Sequence, residues 1–180
     1  MSMKTILTYM ILAAVAVVAS IPANAQSKLS DSAQEAKCLA DNIYWEARNQ
    51  SRAAHIAVAF VVINRVFDER FPNTICEVVE QGPTRPSWKD KTKHYPVRNR
   101  CQFSWYCDGK SDEIPTPDED LYKQIRFLAA AFIVKHHYFI DITDGATHYH
   151  AYYVRPAWAK TKTRTAKIED HIFYRWENAN

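Results

Sequence analysis

Glycine is scarce in this chain of 180 residues: there are three, Gly82, Gly109 and Gly145. A loop that cradles phosphate needs several close-set glycines, so the shortage argues against a loop-bound nucleotide. The spacing G-x-S-x-G is absent, which removes the usual nucleophile elbow. C-x-x-C is absent as well, and with it the commonest zinc spacing. No charge of one sign dominates, with 23 basic and 20 acidic residues, too mild a balance to suggest nucleic acid. There is no internal repeat and no low-complexity tract. Beyond the N-terminal segment, no stretch is apolar for long enough to span a bilayer.

What is present begins with aromatic residues, 13% of the chain, including 10 Tyr and 5 Trp. Their flat faces and polar tips suit a dense small core or a carbohydrate-binding groove. Lys4 followed by "ILTYMILAAVAVVAS" and Ala23-Asn24-Ala25 reads as a signal peptide over residues 1–25, cut before Gln26. A retained anchor is the alternative, but the apolar run is short and contains Thr8 and Ser20. The expected mature domain is 26–180, secreted or periplasmic, monomeric and without a stable membrane span. Cys38, Cys76, Cys101 and Cys107 can then oxidise, with three possible pairings. The short gap in "CQFSWYC" favours Cys101–Cys107, with Cys38–Cys76; a zinc site is the competing reading.

The periodicities predict an α+β fold, about four helices with a small antiparallel sheet. Helices are expected over 33–48, over 52–66 with Ser51 as N-cap, and over "ICEVVEQ" behind Asn73 or Thr74. A fourth follows "TPDE", where Thr116, Pro117 and Glu119 suggest a capping box. Its buried stripe is Leu121, Ile125, Leu128 and Phe132. Residues 82–100 read as a long, basic, Pro-rich loop, either a solvated insertion or a binding element. "CQFSWYC" alternates like a strand or extended segment. Strands are expected over 146–154 and 167–176, joined by a polar loop around "KTKTRT".

One residue breaks its helix pattern. At 100° per residue, Glu46 falls within about 20° of Leu39, on the apolar stripe one turn beyond Ile43. Its neighbours at three and four residues are Asn42, Ile43, Asn49 and Gln50, none of them basic. A carboxyl held among apolar groups has its ionised form disfavoured, which is what a general acid needs. Ion pairing with a distant arginine such as Arg65 is the structural alternative. Trp45, on another side of the helix, is assigned to packing. His148 and His150 share a strand face and suggest zinc only if His171 or Asp144 joins them. His136 and His137 end a helix, where cations are favoured.

The blocks "CLADNIYWEARNQ", "AVAFVVINRV", "RFPNTICEVV", "CQFSWYCDG", "GATHYHAYYVRPAWA" and "HIFYRW" occur in this order, and together they resemble the SleB-type cell-wall hydrolases, the catalytic domain of spore cortex-lytic enzymes. The likeness runs from about Cys38 to Trp176. It implies a compact lysozyme-like domain acting on peptidoglycan glycan strands, without a cofactor or metal. It implies a lytic transglycosylase that cuts the bond between N-acetylmuramic acid and N-acetylglucosamine, with Glu46 as the catalytic acid. It also implies a cleft lined by Gln102, Phe103, Ser104, Trp105, Thr147, His148, Tyr149, His150 and Tyr174. Three departures stand out: Asn49 and Gln50 replace a usual Gly, Glu169 and Asp170 stand where another Gly is usual, and the basic 82–100 loop is longer. The alternatives are a two-carboxylate muramidase using Asp108, Asp141 or Asp144, a zinc amidase or peptidase using His148, His150 and His171, and a non-catalytic glycan binder stacking sugars on Trp88, Trp105 and Tyr149.

Overall fold

The computed structural model describes residues 23–177, with side chains from residue 32 onward. Most of the expected signal segment lies outside these residues; its Ala23 to Ala25 open the first helix. Residues from Gln34 onward form one compact unit, which carries the core, the sheet and the site. The helices are α1 (Ala23–Ala47), α2 (Arg52–Val66), α3 (Ile75–Val79) and α4 (Glu119–Lys135). The strands are β1 (Thr84–Pro86), β2 (His94–Pro96), β3 (His148–Ala151), β4 (Thr163–Ile168) and β5 (His171–Arg175). The α+β class is therefore as expected. No described helix is long and apolar enough to cross a membrane.

The sequence of α2, "RAAHIAVAFVVINRV", is apolar on nearly every side, and such a helix must be covered on every side. Ala54, Val58 and Val62 face the helical core, built with Leu39 and Ile43 of α1 and Ile125, Leu128 and Phe132 of α4. Ala57 and Val61 face the opposite way, against Ala146 and Phe173 of the sheet region. The small alanines let backbones approach, and each large aliphatic side chain buried here contributes about 1.5–3 kcal/mol. Between those layers α2 holds the end of α1 near β3.

Local signals explain the ends. Thr74 caps α3 by accepting the Glu77 amide, as expected. Ser51 occupies the N-cap of α2, but its hydroxyl makes no capping bond. The Glu169 carboxylate instead accepts the Ser51 amide, with both oxygens at 3.2 Å. A distant glutamate thus does what the third helical residue does in a capping box, and it also places negative charge at the positive end of α2. Glu169 has φ +48°, in the turn where the related pattern has Gly, and this bond helps hold it there.

Five expected elements differ. The capping box before α4 does not form: 116–118 is a 3₁₀ turn, and Asp118 accepts the Tyr44 hydroxyl instead. "SWYC" is also a 3₁₀ turn, because the Cys101–Cys107 disulfide closes a ring too small for an extended chain. The 82–100 segment contains the hairpin β1–β2. "KTKTRT" enters strand β4, which pairs with β5 through a turn at Glu169 and Asp170, so the expected loop and single strand are a hairpin. The strand expected over 146–154 is ordered as a strand only over His148–Ala151, where it pairs with β5. The sheet order is β3-β5-β4, all antiparallel.

Cys38–Cys76 ties α1 to α3 across 38 residues, and Cys101–Cys107 closes a local loop of six. Loop-closure entropy makes the first worth about 3–4 kcal/mol and the second about 2 kcal/mol. Urea unfolding of Cys38→Ala/Cys76→Ala is expected to show a loss of that size, and Cys101→Ala/Cys107→Ala the smaller one.

Candidate active site

Glu46 lies in the last turn of α1, beyond Leu39 and Ile43, both fully buried. Helix α1 stops at Ala47 and the chain turns through Asn49 and Gln50, so the carboxyl emerges at a corner, partly exposed. The Tyr149 hydroxyl donates to Glu46 Oε2 at 2.9 Å. No cation lies within ion-pair distance of Glu46 among the described residues. Burial pushes its carboxyl above the usual carboxylate range, opposed by the Tyr149 hydrogen bond and by the more distant charge of Arg65. Its place at the negative end of a helix acts in the same direction as burial.

Arg65 of α2 is the buried cation of this region, 4% exposed. Its Nε donates to the Thr147 carbonyl at 2.7 Å. Its guanidinium lies 5.2 Å from the Phe71 ring and 5.0 Å from the Phe103 ring. Burial pushes its pKa down to about 10, opposed by Tyr149 and Glu46, so it stays charged at neutral pH. The arginine foreseen as a partner for Glu46 is therefore nearby but gives its hydrogen bond to backbone.

A groove of about 480 Å³ opens at Glu46. Trp45, Glu46 and Arg48 line it from α1 and the following turn, Ser104, Trp105 and Asp108 from the disulfide loop, then Asp112 and Asp170. Trp105 is anchored by its Nε1–H, which donates to the buried Asn42 Oδ1 at 3.1 Å. It stacks on Trp45 with centroids 6.5 Å apart, leaving a paired aromatic wall. Asn49, Gln50 and Asp170 line the same corner, and Ser51 bonds Glu169, so both glycine replacements meet at one edge of the groove.

The site residues expected from sequence divide by depth and by face. Ser104 and Trp105 line the groove beside Glu46. Phe103 is buried below, 6.5 Å from the Tyr149 ring and against Arg65. Gln102 is exposed and holds the loop through its amide, which donates to the Gln81 carbonyl. Thr147 is buried and its carbonyl receives Arg65. Antiparallel pairing sets His148 opposite Tyr174 and His150 opposite Ile172, and puts Tyr149, Phe173 and His171 on the other face. His148, His150 and Tyr174 gather around Trp158 on the face turned away from Tyr149. Burial, with Arg65, Lys162 and Arg70 nearby, pushes His148 down to about 3, so it is neutral.

This split corrects the three-histidine reading: the sheet separates His171 from His148 and His150. Among the described residues no cluster of His, Cys, Asp and Glu is placed to hold a metal. Two of the alternative acids are also engaged elsewhere. Asp141 accepts the Thr143 and Gly145 amides and the Asn64 side chain, and Asp144 pairs with Arg175 at 2.8 Å. Trp45, assigned to packing, does pack against the helical core and also lines the groove. Asn42, four residues before Glu46, was the legible signal missed: it is a second polar residue near the apolar stripe.

The raised carboxyl carries a stability signature. A glutamate whose folded pKa lies above its unfolded value stabilises the fold fully below the unfolded value and loses that contribution as pH rises through the folded one. Glu46→Gln removes the ionisation. It is expected to be more stable than the parent at pH 8, with the difference shrinking towards pH 4, by thermal melts across that range.

The family model for the cell wall hydrolases matches residues 49–174, beginning three residues beyond Glu46. Among solved structures, the catalytic domain of the Bacillus cereus SleB protein is 24% identical, with a TM-score of 0.52 over 78% of this chain and 89% of that one. The catalytic domain of the germination-specific lytic transglycosylase SleB from Bacillus anthracis is also 24% identical, with a TM-score of 0.53 over 78% of this chain and 93% of that one. These likenesses show a shared fold. None of the curated proteins matches the chain. The match over most of the folded domain makes the chain a member of the cell wall hydrolase family, an enzyme acting on peptidoglycan.

Proposed function

We propose that the chain is a lytic transglycosylase cutting the glycan between N-acetylmuramic acid and N-acetylglucosamine, with Glu46 as its acid and then its base. The observation that carries this reading is the Glu46 carboxyl, which lines the groove with a raised pKa, a hydrogen bond from Tyr149 and no ion pair among the described residues. Protonated Glu46 gives its proton to the glycosidic oxygen as the bond to C1 breaks. The carboxylate then takes the proton of the sugar's own C6 hydroxyl, whose oxygen closes on C1 as a 1,6-anhydro ring. No water is consumed and the glutamate returns protonated. Tyr149 steadies one carboxylate oxygen, and the Trp45–Trp105 wall offers a plane for a sugar ring.

The domain assignment belongs to the same proposal: residues 1–25 direct export and 26–180 form the catalytic domain in the cell envelope. Two disulfides fit an oxidising compartment. A two-carboxylate hydrolase is the second reading, because Asp112 shares the groove and its carboxyl is raised by burial, by Asp108 and by Asp41.

Glu46→Gln is expected to lower turnover on purified sacculi by about 10²–10⁴-fold, the usual worth of a positioned proton donor. Mass spectrometry of the wild-type digest is expected to show anhydromuramic ends. Reducing muramic ends, lost in Asp112→Asn or Asp108→Asn, would establish the hydrolase instead. Tyr149→Phe removes a bond that favours ionised Glu46. The alkaline limb of its pH–rate profile is expected to move to higher pH, with activity down about tenfold.

A further inference from the structure

The 82–100 segment carries six basic side chains and one acidic one, while the rest of 26–180 carries sixteen basic and nineteen acidic. The positive charge of the domain is thus concentrated in one projection, which the glycosidase chemistry above does not use. Its hairpin is almost bare: every residue of β1 is exposed, as are His94 and Tyr95 of β2. An isolated two-stranded hairpin is marginal in water, yet this one is held. At its tip the Ser87 amide donates to the Lys93 carbonyl at 2.7 Å, the Lys93 amide donates to Asp90, and the Asp90 carboxylate accepts the Thr92 amide and hydroxyl. At its base Arg98 Nε donates to the Asp108 carbonyl at 3.0 Å and the Asn99 amide to the Cys107 carbonyl at 2.9 Å. The Arg98 guanidinium lies over Gly109, where a Cβ would come within 3.1 Å of it. The base therefore joins the disulfide loop whose Ser104, Trp105 and Asp108 line the Glu46 groove.

The tip presents Trp88, 80% exposed, with Lys89 Nζ 5.1 Å from its ring centroid. Arg85, Lys89 and Lys91 form no ion pair among the described residues; Lys93 alone pairs, loosely, with Asp90 at 3.9 Å. An exposed indole beside unpaired cations fits a ligand with both a sugar face and negative charge. We infer that hairpin 84–96 is a substrate-gripping arm for the acidic groups hung on the wall glycan, carboxylates of peptide stems or phosphodiesters of attached polymers, with Trp88 stacking on a sugar ring. The inference rests on peptidoglycan being the substrate of the adjoining groove.

The test uses the full chain carrying Glu46→Gln, so that nothing is cleaved, pelleted with purified sacculi. Adding Arg85→Gln, Lys89→Gln and Lys91→Gln is expected to weaken binding about tenfold at about 0.05 M salt, with the difference gone at about 0.5 M. Trp88→Ala is expected to weaken binding at both salts. Sacculi whose carboxylates are capped as neutral amides with a carbodiimide and ethanolamine, and sacculi stripped of phosphodiester-linked polymers by hydrofluoric acid, treated singly and together, identify which acid is held by which treatment abolishes the salt-sensitive part. Binding of the triple variant equal to the parent's, or a salt-sensitive part that survives both treatments, overturns the inference. If the triple variant melts early, the single reversal Lys91→Glu carries the same test. The two readings fail separately: the arm can fail while wild type still releases anhydromuropeptides, and the glycosidase can fail on its products while the arm still binds.

Discussion

Helix α2 has no polar side to turn to water, and the rest of the domain is arranged by the need to cover it. One side takes α1 and α4, and the other takes the sheet. The end of α1 and the start of the sheet are brought together as a result, and Glu46 meets Tyr149 there, 103 residues away in sequence. The hydrogen bond between them is a product of packing that neither segment specifies alone. It fixes one oxygen of a carboxyl that burial pushes above the usual carboxylate range.

The electrostatics work by withholding an ion pair. Arg65 lies close enough to lower the Glu46 pKa, but its Nε is given to the Thr147 carbonyl and its plane to Phe71 and Phe103. A direct salt bridge would favour the ionised glutamate strongly and defeat the acid role proposed for it. Phe103 and Tyr149, expected in the cleft lining, differ in what they touch: Phe103 packs on the Arg65 guanidinium, and Tyr149 bonds Glu46. His148 and His150, neighbours of Tyr149 in the chain, face away because a strand alternates. One block of sequence therefore serves two faces of the sheet.

The groove wall depends on covalent closure. Cys101–Cys107 forces "SWYC" into a tight turn, which presents Ser104 and Trp105 beside Glu46 and carries the basic hairpin outward. At the opposite edge, Glu169 caps α2 from the β4–β5 turn while Asp170 joins the groove. The turn after α1 and the β4–β5 turn are thus joined through the Ser51 amide.

Much of the helical part was legible because helix signals are local: a long, alanine-rich apolar run gave the bounds of α2 and a 3.6-residue stripe gave the buried Ile125, Leu128 and Phe132, while the first helix, expected from residue 33, begins at Ala23. The anomaly at Glu46 was legible for the same reason, since its missing neighbours lie within one turn. The order of the blocks indicated the family. Other features depended on partners distant in sequence. The "CQFSWYC" alternation gave way to ring closure, and the capping box gave way to Asp118 bonding Tyr44. The basic loop gained a hairpin through bonds that composition does not encode. Which face His148, Tyr149 and His171 occupy was settled by strand register, and which acids share the groove by the packing of separate loops. The sequence by itself determined most of the helical core and the odd glutamate; only the tertiary structure decided what surrounds that glutamate, because desolvation and charge act through space and not along the chain.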